Sequence, residues 1–152
     1  MQANARTGAA INPTIEKFGY PTTLLAELEH WLVLLRPAQV TLGSLVLAAK
    51  SDATAFGELP RQAFAEQADV IAAVEQALTG FVAYERINYL MLMMVDPHVH
   101  CHVVPRYEGT RDWQQLTFPD AGWPGVPRLD AAVTLNPPRQ RALAEAVASN
   151  FR

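Results

Sequence analysis

Two spacings of apolar residues divide this chain into elements. Trp31 to Leu35 and Ser44 to Ala49 are short apolar runs, partly β-branched, separated by turn residues from Pro37 to Gly43. They predict two antiparallel strands, with Gly43 closing the turn. Beyond them Phe64, Ala68, Ile71, Val74 and Leu78 recur at intervals of three and four, which predicts a long helix laying its Phe64, Ile71 and Leu78 stripe on a sheet. Asp52 is its candidate N-cap, Pro60 suits a first turn, and Gly80 suits the left-handed position at the C-terminal end. Arg86 to Met94 is apolar again, Asp96-Pro97 is turn chemistry, and His98 to Val104 alternates with period two. Two further strands, tightly joined, follow from that pattern, giving the order ββαββ.

The flanks read differently. Residues 1–20 mix Gly, Asn, Ala and Pro with little periodicity, and are expected to form a flexible arm that docks only in part. Thr22 to Glu29 offers a hydroxyl N-cap and helix formers, so a short helix ending near His30 is expected there. After Pro105 the chain is rich in proline and glycine, with Trp113, Phe118 and Trp123 among them, and from Arg139 to Phe151 it turns amphipathic. This tail, 108–152, is expected to be irregular, closed by a short helix and packed on the domain formed by 21–107, with Trp113 to Trp123 folded back. The fold class is therefore α+β: an antiparallel sheet, one long helix across it, and the tail.

Composition narrows the partners. In 152 residues with a net charge of −3 there is no block of Lys or Arg, so a nucleic-acid polymer is not an expected partner. The longest apolar runs fall well short of the roughly 20 residues that span a bilayer, and the N-terminus lacks the apolar core of a signal peptide. With a single cysteine, Cys101, a cytoplasmic protein is expected.

The chemistry is concentrated in Asp96-Pro97-His98-Val99-His100-Cys101-His102-Val103-Val104-Pro105-Arg106-Tyr107, which holds three of the four histidines. On a strand, His98, His100 and His102 share one face while Val99, Cys101 and Val103 point to the other, where Cys101 is read as a buried, inert thiol. Same-face residues stand roughly 6.6 Å apart along the backbone, which spreads the outer pair too widely for all three to ligate one ion at about 2 Å. Two of them could ligate a metal together with Asp96, Glu108 or His30, and that remains an alternative; His30 otherwise reads as an ordinary helix-end residue. An extended phosphate chain matches a row of donors better. A neutral imidazole supplies a nucleophilic lone pair near pH 7, and no acidic cluster suited to magnesium flanks the ladder, so no metal or other cofactor is expected.

The His98-Val99-His100-Cys101-His102-Val103-Val104 segment resembles the signature of the histidine triad family of nucleotide hydrolases and transferases, and Pro105-Arg106 resembles what commonly follows it. The resemblance covers about Trp31 to Tyr107, with Gly43 at the turn of the first hairpin and Lys50 at its end. It implies that His100 attacks the α-phosphorus of a nucleotide derivative and is transiently nucleotidylated. It assigns His102 to phosphate and leaving-group contact, His98 to positioning and Asn88 to phosphate contact. Independently of the resemblance, Arg106 and protonated histidines are expected to balance the phosphate charge.

Departures from the family pattern bear on substrate identity. Ser44 stands where many relatives carry a fourth histidine, Arg36 where they carry an Asn or Asp for the ribose hydroxyls, and Met93 to Pro97 replaces a glycine-glutamine stretch. A guanidinium has only donors, so Arg36 suits an additional phosphate or carboxylate, and Lys50 on the same hairpin could approach the same charged end. Substrates expected on this basis are nucleotide esters, phosphoramidates or dinucleoside polyphosphates. The competing readings are a metal-dependent enzyme and a nucleotide-binding or partner-binding protein with little turnover. Relatives commonly pair through the helix and sheet edge, so a homodimer is expected, with Met91, Met93 and Trp123 as candidate interface residues.

Overall fold

The computed structural model describes residues 11–151. Five strands, β1 (Leu24–Glu27), β2 (Trp31–Leu35), β4 (Leu45–Ala49), β5 (Arg86–Leu90) and β6 (His100–Arg106), form one antiparallel sheet in the order β1-β2-β4-β6-β5. The two-residue β3 (Ala38–Gln39) lies in the hairpin loop and pairs with β9 (Val133–Thr134). Helix α1 (Pro13–Lys17) precedes the sheet, α2 (Arg61–Val82) crosses it, and α3 (Pro137–Ala148) closes the chain. This is the α+β arrangement expected from the apolar pattern.

Alternation along the central strands separates two faces. Trp31, Val33, Leu35, Leu45, Leu47, Ala49, Val99, Cys101 and Val103 point into the main core, where they meet α2 and α3. Leu32, Leu34, Val46 and Ala48 point the other way, and Ile15 and Phe18 pack on them. Both β2 and β4 are buried on both faces, which is why they read as continuous apolar runs.

Several expectations are corrected by tertiary contacts. Residues 24–27 form edge strand β1, with Ala26 opposite Val33 and Glu27 opposite Leu32. Pairing with β2 satisfies backbone groups and packs Leu24, Leu25 and Ala26 onto the two cores, so it overrides a helix propensity worth only tenths of a kcal/mol per residue, on the order of 0.5. His30 consequently lies in a turn between strands. The expected arm divides: residues 11–20 dock, and residues 1–10 lie outside the described residues.

Helix α2 starts one residue after Pro60, itself the N-cap, and a 3-10 turn at Phe56–Glu58 occupies the stretch after Asp52. Its buried stripe is Ala63, Val70, Val74, Ala77, Leu78 and Val82. Phe64 is turned out against Phe56, with ring centroids 5.3 Å apart. The Trp31 indole donates to the Ala63 carbonyl at 2.7 Å, which sets small Ala63, not Phe64, against the sheet. The helix runs through Gly80 and ends at Ala83, which takes the left-handed conformation with φ 50°. Gly80 instead lets Asn150 approach: a Cβ there would stand 2.9 Å from Asn150 Oδ1.

Strands β5 and β6 are joined by residues 91–99, not by a tight turn. The tail is ordered by a β7 (Thr110–Trp113) and β8 (Leu116–Pro119) hairpin, and Phe118 is fully buried. Asn136 caps α3 by accepting from Arg139 N at 2.9 Å, and Leu143, Ala144 and Val147 enter the core. Trp113 packs on the same core, so this part of the tail does fold back. No helix of the described residues is long and apolar enough to cross a membrane.

Candidate active site

His100 and His102 leave β6 on the face opposite α2, across from Ala48 and Val46 of β4. Helix α1 covers them. Asn12 caps this helix by accepting from Ile15 N at 3.0 Å, and its amide ties the cap to the Ala49 and Ser51 carbonyls. Thr14 Oγ1 lies 2.9 Å from His98 Nδ1, Lys17 pairs with Asp96 at 2.8 Å, and the Phe18 ring lies 5.6 Å from His100 and 5.7 Å from His102. The ladder is thereby covered: His100 is 2% and His102 6% exposed. His98 lies just before the strand and is half-buried. A cavity of about 210 Å³ remains beside them, walled by residues 92–96 together with His100 and His102.

Hydrogen bonding gives the two imidazoles opposite roles. His100 Nδ1 lies 2.7 Å from the His98 carbonyl oxygen, which only accepts, so Nδ1 carries a proton and, in the neutral imidazole, Nε2 keeps the lone pair. Arg36 Nε donates to His102 Nδ1 at 3.2 Å; Nδ1 is therefore an acceptor, and the proton sits on Nε2. Burial first, then the Arg36 charge and the neighbouring His100, push the His102 pKa down to about 4, against the opposing pull of Asp96. His102 is neutral at pH 7. The rings stand 5.2 Å apart at 80°, so a lone pair and an N–H donor adjoin on one face.

No family model and no curated protein matches this chain. Solved structures do. A histidine triad protein of Bradyrhizobium japonicum superposes with a TM-score of 0.67 at 16% identity, covering 94% of this chain and 98% of its own. A hypothetical histidine triad nucleotide-binding protein of Sulfolobus tokodaii gives 0.63 at 21% identity, over 84% and 82%. A zinc-bound histidine triad family protein of Mycobacterium smegmatis gives 0.57 at 18% identity, over 89% of each. The chain has the histidine triad fold.

Around the triad the remaining candidate residues divide. Arg36 is brought against His102, as described. Asn88 and Arg106 share the histidine face farther along the sheet, opposite Val104 and Arg86, but they are turned onto each other. Arg106 is bidentate to Asp120, at 2.7 and 3.0 Å, and donates to Asn88 Oδ1 at 2.7 Å. Its charge is already balanced inside the protein. Ser44 is fully buried in the hairpin turn, accepting from Thr41 N at 3.0 Å and donating to the Thr41 carbonyl at 2.9 Å. Lys50 reaches the opposite sheet edge, pairing with Glu27 at 2.9 Å. Cys101 lies on the core face, where burial pushes its thiol pKa up to about 12.

Of the ligands considered for a two-histidine metal site, Asp96 borders the cavity, bound to Lys17. His30 and Glu108 lie elsewhere, their backbone amides donating to the Glu66 and Glu85 carboxylates respectively. Sequence reasoning missed Thr14, Lys17 and Phe18, although Asn12-Pro13 is a helix-start signal of cap and N1 proline. It also missed Asp120, for which the sequence carries no local sign.

Proposed function

We propose that this chain is a nucleotidyl hydrolase or transferase that works through a nucleotidyl-histidine on His100. In this reading His100 Nε2 attacks the α-phosphorus of the substrate as the bond from phosphorus to the leaving group breaks. The His98 carbonyl, accepting from Nδ1–H, steadies the positive charge that develops on the ring. His102 directs its Nε2–H to the leaving atom or an adjacent phosphate oxygen. Water or another acceptor then attacks the phosphorus from the side opposite the ring, where the first leaving group departed; the P–N bond breaks, the acceptor's proton passes to solvent, and the nucleoside monophosphate unit is released with His100 regenerated.

The observation that carries this reading is the pair of opposed tautomers on neighbouring rings. A neutral His102 offers a hydrogen bond and holds no second proton to give, so leaving groups that depart as stable anions fit best. Dinucleoside polyphosphates and other phosphate anhydrides fit on this ground better than phosphoramidates, whose amine requires a proton. The same tautomer weighs against a metal held by His100 and His102 together, because His102 Nε2 would have to present a lone pair. The covering of the histidines by Phe18 favours the second reading, a nucleotide-binding protein with little turnover. The wider reading includes a cytoplasmic setting and a homodimer built on α2 and the open edge of β5, with Met91, Met93 and Trp123 at or near the interface. Sedimentation at micromolar concentration checks the dimer, and a species of 16.7 kDa would count against it.

Intact-mass spectrometry after brief mixing with a dinucleoside polyphosphate or a nucleoside phosphoramidate tests the mechanism. A transient gain of one nucleoside monophosphate unit, absent in His100→Ala, is expected. Product formation with no such gain under rapid quench would reject the covalent route, and binding with no product would leave the second reading standing.

A further inference from the structure

Lys17, Lys50 and Arg106 each meet a carboxylate, at 2.8, 2.9 and 2.7 Å. Arg36 does not. Its Nη1 donates to the Ala38 carbonyl at 2.6 Å and its Nε to His102, and among the described residues it has no acidic partner and no hydrogen bond from Nη2. Yet it is partly withdrawn from water, enough for burial to lower its pKa. A half-buried guanidinium without a counter-ion is unfavourable unless something outside the chain supplies the anion.

Its position says where that anion lies. Arg36 N donates to the Ser44 carbonyl at 3.0 Å, and Ser44 precedes the Leu45 to Val103 and Val46 to His102 pairs of β4 and β6. Along the face the order is therefore His98, His100, His102, Arg36. The neighbouring cations supply no substitute: Arg106 is satisfied by Asp120, and Lys17 by Asp96. With His102 neutral, Arg36 is, among the described residues beside the two histidines, the cation without an acidic partner.

We propose that Arg36 binds a second anionic group of the substrate, a phosphate distinct from the one attacked by His100 and lying past His102 from it. The proposal rests on the nucleotide reading above. Its Nε stays on His102, while the two N–H donors of Nη2 take the phosphate oxygens. The next phosphate of an anhydride chain and a phosphate ester on the ribose offer the same chemistry.

Calorimetric titration of the full chain with AMP, ADP and adenosine 3′,5′-bisphosphate separates these sources. Wild type is expected to bind ADP or the bisphosphate about tenfold or more tighter than AMP, in line with a hydrogen bond to a charged group. Preference for ADP identifies the chain phosphate, and preference for the bisphosphate the ribose ester. In Arg36→Gln that preference should fall to about twofold or less, whatever the change in AMP affinity itself, and Arg36→Lys should recover part of it. Equal losses for all three ligands, or no loss, would overturn the proposal. If wild type binds none of them, the nucleotide reading fails, and pyrophosphate against inorganic phosphate decides the remainder. An Arg36-dependent preference for pyrophosphate upholds the anion site, and its absence removes it.

Discussion

Arg36 and Arg106 both stand on the histidine face of the sheet, beyond His102, and the chain treats them in opposite ways. Arg106 is 3% exposed and has its donors met by Asp120 and Asn88. That cluster is complete without a ligand and ties β6, β5 and the tail together. Among the described residues Arg36 contacts a backbone carbonyl and the His102 imidazole, and no acid. A buried charge that is paired serves the fold; one left open beside an imidazole serves chemistry. With Arg106 paired to Asp120 and His102 neutral, neither supplies the free positive charge expected of it for the substrate.

The largest expected effect is on turnover. His100→Ala should lower the rate on a substrate nucleotide by a factor on the order of 10³ or more, because it deletes the nitrogen that attacks phosphorus in the proposed route. Since His100 is packed beneath Phe18, some loss of stability accompanies it, and circular dichroism of the variant separates the two effects. Wild-type rates in the folded variant would remove His100 from the mechanism.

Next comes stability at the closed cluster. Asp120→Ala leaves Arg106 charged and buried, so denaturant unfolding should show a loss of about 3–5 kcal/mol. Arg36→Gln removes a charge with no acidic partner and should change stability by less than about 1 kcal/mol. Similar losses in the two variants would erase the distinction between the clusters.

A smaller effect belongs to His102. Its folded pKa lies near 4, below the unfolded value of about 6.5, so between these values the unfolded chain binds more protons. Its contribution to stability is present above pH 6.5, declines as pH falls toward 4, and levels off below. The urea midpoint of wild type should therefore decline across that window more than that of His102→Gln, with Arg36, His100 and Asp96 as the charged or titratable neighbours. Parallel curves for the two proteins would mean that His102 is not held neutral.

How much of this was legible in the sequence follows from where each signal lies. The paired faces of β2, β4 and β6 were readable because alternation is local, and the three histidines declared their shared face by spacing alone. Residues 24–27 were misread because the hydrogen bonds that make them a strand come from β2. The turn of α2 by one residue depends on Trp31 reaching Ala63, 32 positions away. The covering of the triad by Phe18 and the neutralisation of Arg106 by Asp120 are likewise contacts between segments far apart in the chain. Ser44 and Lys50 entered as site candidates from their place in a familiar pattern, whereas their hydrogen bonds run to Thr41 and Glu27.

The central claim is that the two imidazoles carry their protons on opposite nitrogens. Long-range proton–nitrogen correlation spectra of the histidine rings at pH 7 read this directly. The account predicts a His100 whose Nδ1 carries a proton and a neutral His102 with its proton on Nε2, the latter losing its single tautomer in Arg36→Gln. A His102 that is protonated at pH 7, or that carries its proton on Nδ1 in wild type, would contradict it.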